Sequence, residues 1–371
     1  MTRLVTTFAL AIAVTMTVPA HAAAPATTAP KAPVLETGVL GDAPYRIDIP
    51  SSWNGELVVL ARGFEPVGMP RTEPMPANEA TPVFLSAGYA VAQSGYSSQG
   101  WAVREAVADI ERLRQHFVQR HKAARRTYLV GFSMGGGIAI ASLEQHHRDY
   151  DGALSLCGAN VPGARLADDL FTTLVAFDYF FPDTPGITGG LAARPTAATD
   201  QGAVMTSLAG ALAGKPEIAA RLATHLQVPA DAVPGVVSLH YLIFQDMARR
   251  AGGQPVDNRK TVYAGFGDDT AFNAGVRRYT GDAEAIQDIA SAPALTGRAG
   301  KPLVIQYNHG DPTIAARFQP VYAELARAAG APAPLTLPAV GDGHCGFSPG
   351  QIGDALQVLD DWAESGRRPG R

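Results

Sequence analysis

Short apolar runs alternate with longer segments of helical periodicity along the first 160 residues. The runs are YRIDI, ELVVLA, YAVAQS, TYLVGF and GALSLC, at 45–49, 56–61, 89–94, 127–132 and 152–157. Nearly continuous apolar strands of this kind are typical of a largely parallel sheet that is buried on both faces. Over 103–121, apolar residues close to helical spacing predict a crossover helix. The pattern therefore predicts an α/β fold with a mostly parallel central sheet flanked by helices.

This alternation stops after Cys157, and strand-like runs return only near residue 301. We interpret residues 160–300 as a large helical cap inserted after the sixth strand, and residues 34–159 and 301–366 as the core. A strand, a helix, a short strand and a last helix are predicted to follow the cap, at 302–307, 316–329, 334–339 and 350–364. A chain of 371 residues is compatible with one core that carries an insertion of this size.

The N-terminal residues have the pattern of a secretory signal. A basic residue precedes an apolar stretch at 4–18, and Ala-His-Ala at 20–22 has the small-x-small form of a cleavage site. We expect residues 1–22 to be a signal peptide and residues 23–33, rich in Pro, Ala and Thr, to be a flexible leader. An uncleaved anchor is the alternative, but the apolar stretch is short for a membrane span. The expected location is secreted or periplasmic.

The charge balance argues against two classes of partner. The chain has 30 basic and 34 acidic residues, a formal net charge of −4, and no long basic run. Nucleic acid and anionic membrane are therefore not expected as partners. No later segment offers about 20 uninterrupted apolar residues, so no stable membrane span is predicted.

A serine lies at a junction between a strand and a helix. In RTYLVGFSMGGG, 126–137, the apolar run ends at Gly-Phe-Ser-Met-Gly around Ser133, and an alanine-rich helical pattern follows. A serine hydroxyl is a weak nucleophile unless a sharp turn holds it beside a base and oxyanion donors. A glycine-serine turn without chemistry is the alternative, since the short pattern alone is common. The strand before it and the helix after it favour Ser133 as a nucleophile.

Such a serine needs a base and a carboxylate. The candidate base, His344, lies in a glycine-rich loop between the last predicted strand and the last helix. The candidate acid, Asp311, directly follows the strand at 302–307. Chain order is then Ser, Asp, His, which is one of the known triad orders. His309 is the competing base, and Asp342 or a cap aspartate is the competing acid. No cofactor is expected for this chemistry.

An oxyanion intermediate needs preorganised N–H donors. One is expected from the backbone of Met134, directly after the nucleophile. The other is expected from the loop after the early strand, at the backbone N–H of Phe64.

The start of the cap, 170–181, is strongly apolar and aromatic. Phe171 and Phe177 are predicted to line an apolar substrate pocket, and packing of the cap onto the core is the alternative. A Gly/Asp segment at 263–269 lacks the ligand spacing and terminal Glu of a calcium loop, so no metal site is assigned.

Cys157 and Cys345 are the two cysteines of the chain. In an exported protein an even pair favours a disulfide, and two buried thiols are the alternative. A bridge would tie the loop of His344 to the end of a strand.

These motifs together resemble the α/β-hydrolase superfamily, in particular secreted bacterial serine hydrolases of the esterase type. The resemblance covers most of 45–159 and 300–364 and rests on WNG, YSS and HC at 53–55, 96–98 and 344–345. The cysteine pair is similar to that of tannase and feruloyl-esterase enzymes, although their first cysteine directly precedes the serine, where this chain has Phe132.

The family often has His-Gly at the oxyanion loop, where this chain has Arg62-Gly63. Arg62 is therefore a candidate for binding an acidic substrate group, with an ion pair to Glu65 as the alternative.

The sequence thus predicts an exported serine hydrolase that cleaves small-molecule or polymeric carboxylic esters through an acyl-enzyme intermediate. A serine peptidase or an acyltransferase on the same fold stays open, because the same triad can act on amides or pass the acyl group to an alcohol. A non-catalytic binding protein is a third, less favoured hypothesis, because fold does not fix function.

Overall fold

An eight-stranded sheet forms the centre of the computed structural model, which describes residues 32–187, 189–193 and 201–370. Its strands in chain order are β1 (Val34–Leu40), β2 (Ala43–Ile49), β3 (Glu56–Ala61), β4 (Ala90–Ser94), β5 (Arg126–Phe132), β6 (Gly152–Leu156), β7 (Leu303–Gln306) and β8 (Leu335–Thr336). They lie in the order β1-β2-β4-β3-β5-β6-β7-β8. The pairs β1–β2 and β2–β4 are antiparallel, and all the other pairs are parallel. The prediction of a mostly parallel sheet is confirmed.

β1 is a strand that the apolar pattern did not predict. Its side chains are exposed or half-buried, so no continuous apolar run marks it. A tight turn joins it to β2, and both turn residues, Gly41 and Asp42, have positive φ angles of 54° and 66°. Two successive positive φ angles are typical of the type I′ turn that closes a two-residue hairpin. The hairpin adds an antiparallel edge to the parallel sheet.

Helices cover both faces of the sheet. In chain order they are α1 (Thr81–Ser86), α2 (Val103–His121), α3 (Met134–Gln145), α4 (Gly163–Phe180), α5 (Gln201–Gly214), α6 (Pro216–Leu226), α7 (Val233–Arg250), α8 (Asp269–Gly275), α9 (Ala283–Ala290), α10 (Val321–Ala328) and α11 (Pro349–Ser365). Successive strand side chains point to opposite faces. In β3, Val59 packs in the core cluster that includes α2 and α3, while Val58 packs with α1 and α11. This two-sided burial accounts for the uninterrupted apolar runs in the sequence.

The segment between β6 and β7 is helical. It contains α4 to α9, and its described residues include no β-strand. Polar contacts join it to the rest of the chain, including the following two. Asp246 accepts a hydrogen bond from the backbone N–H of Trp101 at 2.6 Å, and Asp169 forms an ion pair with Arg317 at 2.8 Å.

Within the described ranges, no helix is both long enough and apolar enough to cross a bilayer. The predicted signal peptide, 1–22, lies outside these ranges, as does nearly all of the predicted leader.

Candidate active site

The turn between β5 and α3 displays Ser133 in a strained backbone conformation. Its φ and ψ are 56° and −126°, a region that residues with a Cβ rarely adopt. Steric crowding explains why the residues two positions before and after Ser133 are glycines. A Cβ on Gly131 would lie 2.0 Å from the carbonyl oxygen of Gly135, and a Cβ on Gly135 would lie 2.1 Å from that of Ala61. The turn is therefore packed so closely, both within itself and against β3, that only glycine fits at these two positions.

A continuous chain of hydrogen bonds links Ser133, His344 and Asp311. Nε2 of His344 lies 2.9 Å from Oγ of Ser133, and Nδ1 lies 3.0 Å from Oδ2 of Asp311. A carboxylate accepts hydrogen bonds, so the network assigns the imidazole proton to Nδ1 and leaves the Nε2 lone pair facing the serine hydroxyl. The structure thus brings together the three residues that were predicted to act together.

The Asp311 carboxylate is buried and held by the backbone of its own loop. Oδ1 accepts hydrogen bonds from the N–H groups of Thr313 at 2.8 Å and Ile314 at 2.9 Å. These bonds fix the carboxylate in the short loop that follows β7. They leave Oδ2 as its nearest oxygen to the His344 ring.

The competing residues His309 and Asp342 act through their backbones. They form an isolated bridge, and the N–H of His309 donates to the carbonyl of Gly341, while that of Gly343 donates to the carbonyl of His309. Both side chains are exposed. The bridge ties the loop that carries Asp311 to the loop that carries His344.

Two backbone N–H groups near Ser133 suit an oxyanion. Met134 is the first residue of α3, and the N–H groups of a first helical turn have no intrahelical acceptor. Phe64 lies in the loop after β3, and its neighbour Gly63 approaches so closely that a Cβ there would sit 3.3 Å from Cβ of Ser133. Among the described residues, neither the Met134 nor the Phe64 N–H donates to a protein acceptor. Both donors are therefore free for a ligand.

No protein-family model and no curated protein matches the sequence. Solved structures do align with the chain. Feruloyl esterase B from Aspergillus oryzae is 14% identical, with a TM-score of 0.48, over 89% of this chain and 80% of that one. TT1662 from Thermus thermophilus is 13% identical, with a TM-score of 0.47, over 90% and 98%. An acylaminoacyl peptidase from Pyrococcus horikoshii is 10% identical, with a TM-score of 0.46, over 91% of this chain but only 42% of that one.

The chain has the α/β-hydrolase fold. The strand order, the parallel pairing from β3 to β8 and the serine turn after the fifth strand define this fold in the structure itself. The superfamily resemblance read from the sequence is confirmed at this level.

A disulfide stands beside the histidine of this α/β-hydrolase fold. Cys157 and Cys345 are bonded, with their Cα atoms 5.3 Å apart and a sequence separation of 188. Cys157 directly follows β6, and Cys345 directly follows His344, with its Sγ 3.7 Å from Nε2 of that ring. The predicted bridge is confirmed, and the alternative of two buried thiols is wrong.

Arg62 does not face Ser133. Its guanidinium pairs with Glu65 at 3.1 Å, and Glu65 also pairs with Arg71 at 2.6 Å. Arg62 lines a separate cavity of about 1000 Å³, outside the one that contains the serine. The expectation of direct substrate recognition is corrected, because the structure shows the ion pair that was its alternative.

Phe171 and Phe177 do not line the serine cavity either. Both side chains are fully buried. Phe171 packs against Phe244, with ring centroids 5.1 Å apart, and Phe177 stacks on Phe181 at 4.8 Å. The prediction that they contact substrate is corrected to the packing alternative. Within the aromatic stretch 170–181, Leu170 is the residue that reaches the cavity.

The cavity at Ser133 has a volume of about 420 Å³ and a mainly apolar wall. Core loops and the helical insertion both contribute to it. Its apolar lining includes Trp101, Val161, Leu166, Leu170, Ile243, Ile314 and Phe318. One polar residue of the insertion also lines it, His240 on α7. Sequence reasoning missed His240, although a single histidine inside the apolar stretch VVSLHYLIF was a signal.

Proposed function

We propose that the protein is a serine hydrolase that cleaves carboxylic esters through an acyl-enzyme intermediate. Ser133 is the nucleophile, His344 the general base and acid, and Asp311 the carboxylate that orients His344. The observation that carries this proposal is the chain of hydrogen bonds from Oγ of Ser133 through the imidazole to the buried carboxylate, at 2.9 and 3.0 Å.

In the first half-reaction, Oγ of Ser133 attacks the ester carbonyl carbon while its proton passes to Nε2 of His344. The carbonyl oxygen becomes an oxyanion, for which the N–H groups of Met134 and Phe64 are the proposed donors. Removing one such donor typically costs about 10² to 10³ in rate. The imidazolium then protonates the alcohol as the C–O bond breaks, which leaves an acyl group on Ser133.

In the second half-reaction, water replaces the alcohol. Nε2 of His344 takes a proton from the water, the hydroxide attacks the acyl carbon, and the proton returns to Oγ of Ser133 as the acid leaves. The negative charge of Asp311 stabilises the imidazolium in both halves.

The apolar wall supports carboxylic esters with an alkyl or aryl group as substrates, because such a group packs against a mainly apolar surface. The ion pair of Arg62 with Glu65 removes a candidate for binding a substrate carboxylate. We also propose that the protein is exported. The disulfide supports this, because such bridges persist in oxidising compartments.

A fluorophosphonate probe tests the nucleophile, and a panel of esters and peptides tests the reaction. We expect labelling of wild-type protein at Ser133, no labelling of Ser133→Ala, and turnover of alkyl or aryl esters above that of peptides. Ser86→Ala is the matched control, because Ser86 is exposed on α1 and bonds only to its own helix. An unlabelled but folded wild type would contradict the proposal.

A further inference from the structure

His240 is a buried polar residue in an otherwise apolar part of the cavity wall. It lies on α7, is 3% exposed, and lines the cavity together with its neighbours Leu239 and Ile243. Ser133 and His344 line the same cavity. The reaction proposed above does not use His240.

The hydrogen bonds around His240 assign its tautomer. Nδ1 lies 3.0 Å from Oγ1 of Thr173, whose hydroxyl donates its single proton to the backbone carbonyl of Asp169 at 3.2 Å. Oγ1 can therefore only accept from the ring, so Nδ1 carries the imidazole proton. The remaining nitrogen, Nε2, then has a free lone pair.

That lone pair has no protein donor among the residues that the structure describes. Nε2 is not fully enclosed by protein atoms, so it reaches the surface of the cavity. Burial lowers the pKa of His240 to about 4, so the ring is neutral near pH 7. Once a ligand fills the cavity, an acceptor left without a partner is costly, and a donor on the ligand removes that cost.

We propose that His240 is a specificity-determining residue that accepts a hydrogen bond, at Nε2, from a hydroxyl or N–H group of the substrate. The substrate class is then an ester whose apolar alkyl or aryl group carries a hydrogen-bond donor that points toward α7. This inference rests on the proposed esterase function for its kinetic consequences. The binding site itself is tested separately below.

The kinetic test compares kcat/KM for methyl 3-phenylpropanoate with kcat/KM for the three derivatives that carry a hydroxyl at position 2, 3 or 4 of the phenyl ring. In the wild type we expect kcat/KM for one of the hydroxy esters to exceed kcat/KM for the unsubstituted ester by about 10-fold, because its hydroxyl donates a hydrogen bond to Nε2 of His240. In His240→Phe we expect that ratio to fall to about one. Ratios within each protein cancel any general loss of activity. Equal ratios in wild type and variant at all three positions would overturn the proposal.

Thr173 supplies a matched pair of variants. Thr173→Val removes the acceptor that holds the proton on Nδ1, so the preference for the hydroxy ester should fall. Thr173→Ser keeps the hydroxyl and should retain the preference. A purely structural role for Thr173 predicts equal changes for both esters instead, and that outcome would count against the assigned tautomer.

A binding measurement needs neither turnover nor a change at His240. In ¹⁵N-histidine-labelled Ser133→Ala, we expect phenol, but not toluene, to shift the Nε2 resonance of His240. Absence of a phenol-specific shift at saturation would overturn the inference even if Ser133 reacts with fluorophosphonate. If phenol shifts the Nε2 resonance but the wild type does not react with fluorophosphonate, the proposed hydrolase is refuted. The donor-binding site at His240 would still stand.

Discussion

The hydroxyl of Tyr96 donates a hydrogen bond to the backbone carbonyl of Arg62 at 3.1 Å. Tyr96 is buried, and Arg62 directly precedes Gly63 and Phe64 in the loop after β3. Tyr96 itself has a positive φ of 58°. The bond therefore links the backbone that carries one proposed oxyanion donor to a fixed side chain of the core.

We expect Tyr96→Phe to lower kcat for an ester by about 3- to 10-fold, because the variant loses one hydrogen bond that holds the loop of Phe64 in place. KM should change little, because the cavity wall is untouched. Steady-state kinetics on one ester checks this. Tyr128→Phe is the control, since it removes a buried tyrosine hydroxyl bond to Asp360 on the other face of the sheet. Equal losses of kcat in both variants would contradict a positioning role.

Asp311→Asn should lower kcat by about 10³- to 10⁴-fold. The amide oxygen would keep the hydrogen bonds from Thr313 and Ile314, so its NH₂ group would face Nδ1 of His344. The imidazole would then carry its proton on Nε2 and could not accept one from Ser133.

The rate of fluorophosphonate labelling and the ester turnover both measure this effect. Asp342→Asn is the matched control, because Asp342 is an exposed aspartate close to His344 in sequence. If Asp311→Asn retained a tenth of the wild-type rate, the assigned role of Asp311 would be wrong.

Reduction of the Cys157–Cys345 bridge should lower both stability and turnover. The bridge joins residues at a sequence separation of 188, and on the chain-entropy model so long a loop contributes about 5 kcal/mol to the free energy of unfolding. It also anchors the residue next to His344, so the base should lose its fixed position. Urea unfolding and ester turnover with and without dithiothreitol check both effects. In a Cys157→Ala/Cys345→Ala variant the same reductant should change neither quantity.

The sheet could be predicted because each buried strand is marked by its own run of apolar residues. β3 was predicted with its observed bounds, since its two-sided burial requires an unbroken apolar run. β1 was not, because an exposed edge strand carries no such run. Ser133, Asp311 and His344 were grouped from their places at strand ends, where the fold gathers its loops.

The cavity wall was not predictable in the same way. A helix in the insertion has several apolar faces, and packing decides which of them meets Ser133. Phe171 turned inward to Phe244, while Leu170, one position earlier, reached the cavity. His240 gained its role only from the juxtaposition of α7, Thr173 and the serine, which sequence spacing does not encode.

The titration of His240 should make stability depend on pH. Its folded-state pKa is about 4, mainly because of burial; Asp169 opposes that shift, and Arg317 and His225 add to it. The pKa in the unfolded chain is about 6.5. Between these values the unfolded state binds more protons, so the free energy of unfolding should fall by about 3 kcal/mol as the pH drops from 7 to 4.

His240→Phe removes this titration, so its free energy of unfolding should fall less steeply over the same interval, whatever its value at pH 7. Urea unfolding at pH 7, 5.5 and 4 measures the slope. His147→Gln serves as the control, because it replaces an exposed histidine that does not line the cavity. Parallel pH curves for wild type and His240→Phe would show that folding does not shift the pKa of His240, and the predicted lowering by burial would then be wrong.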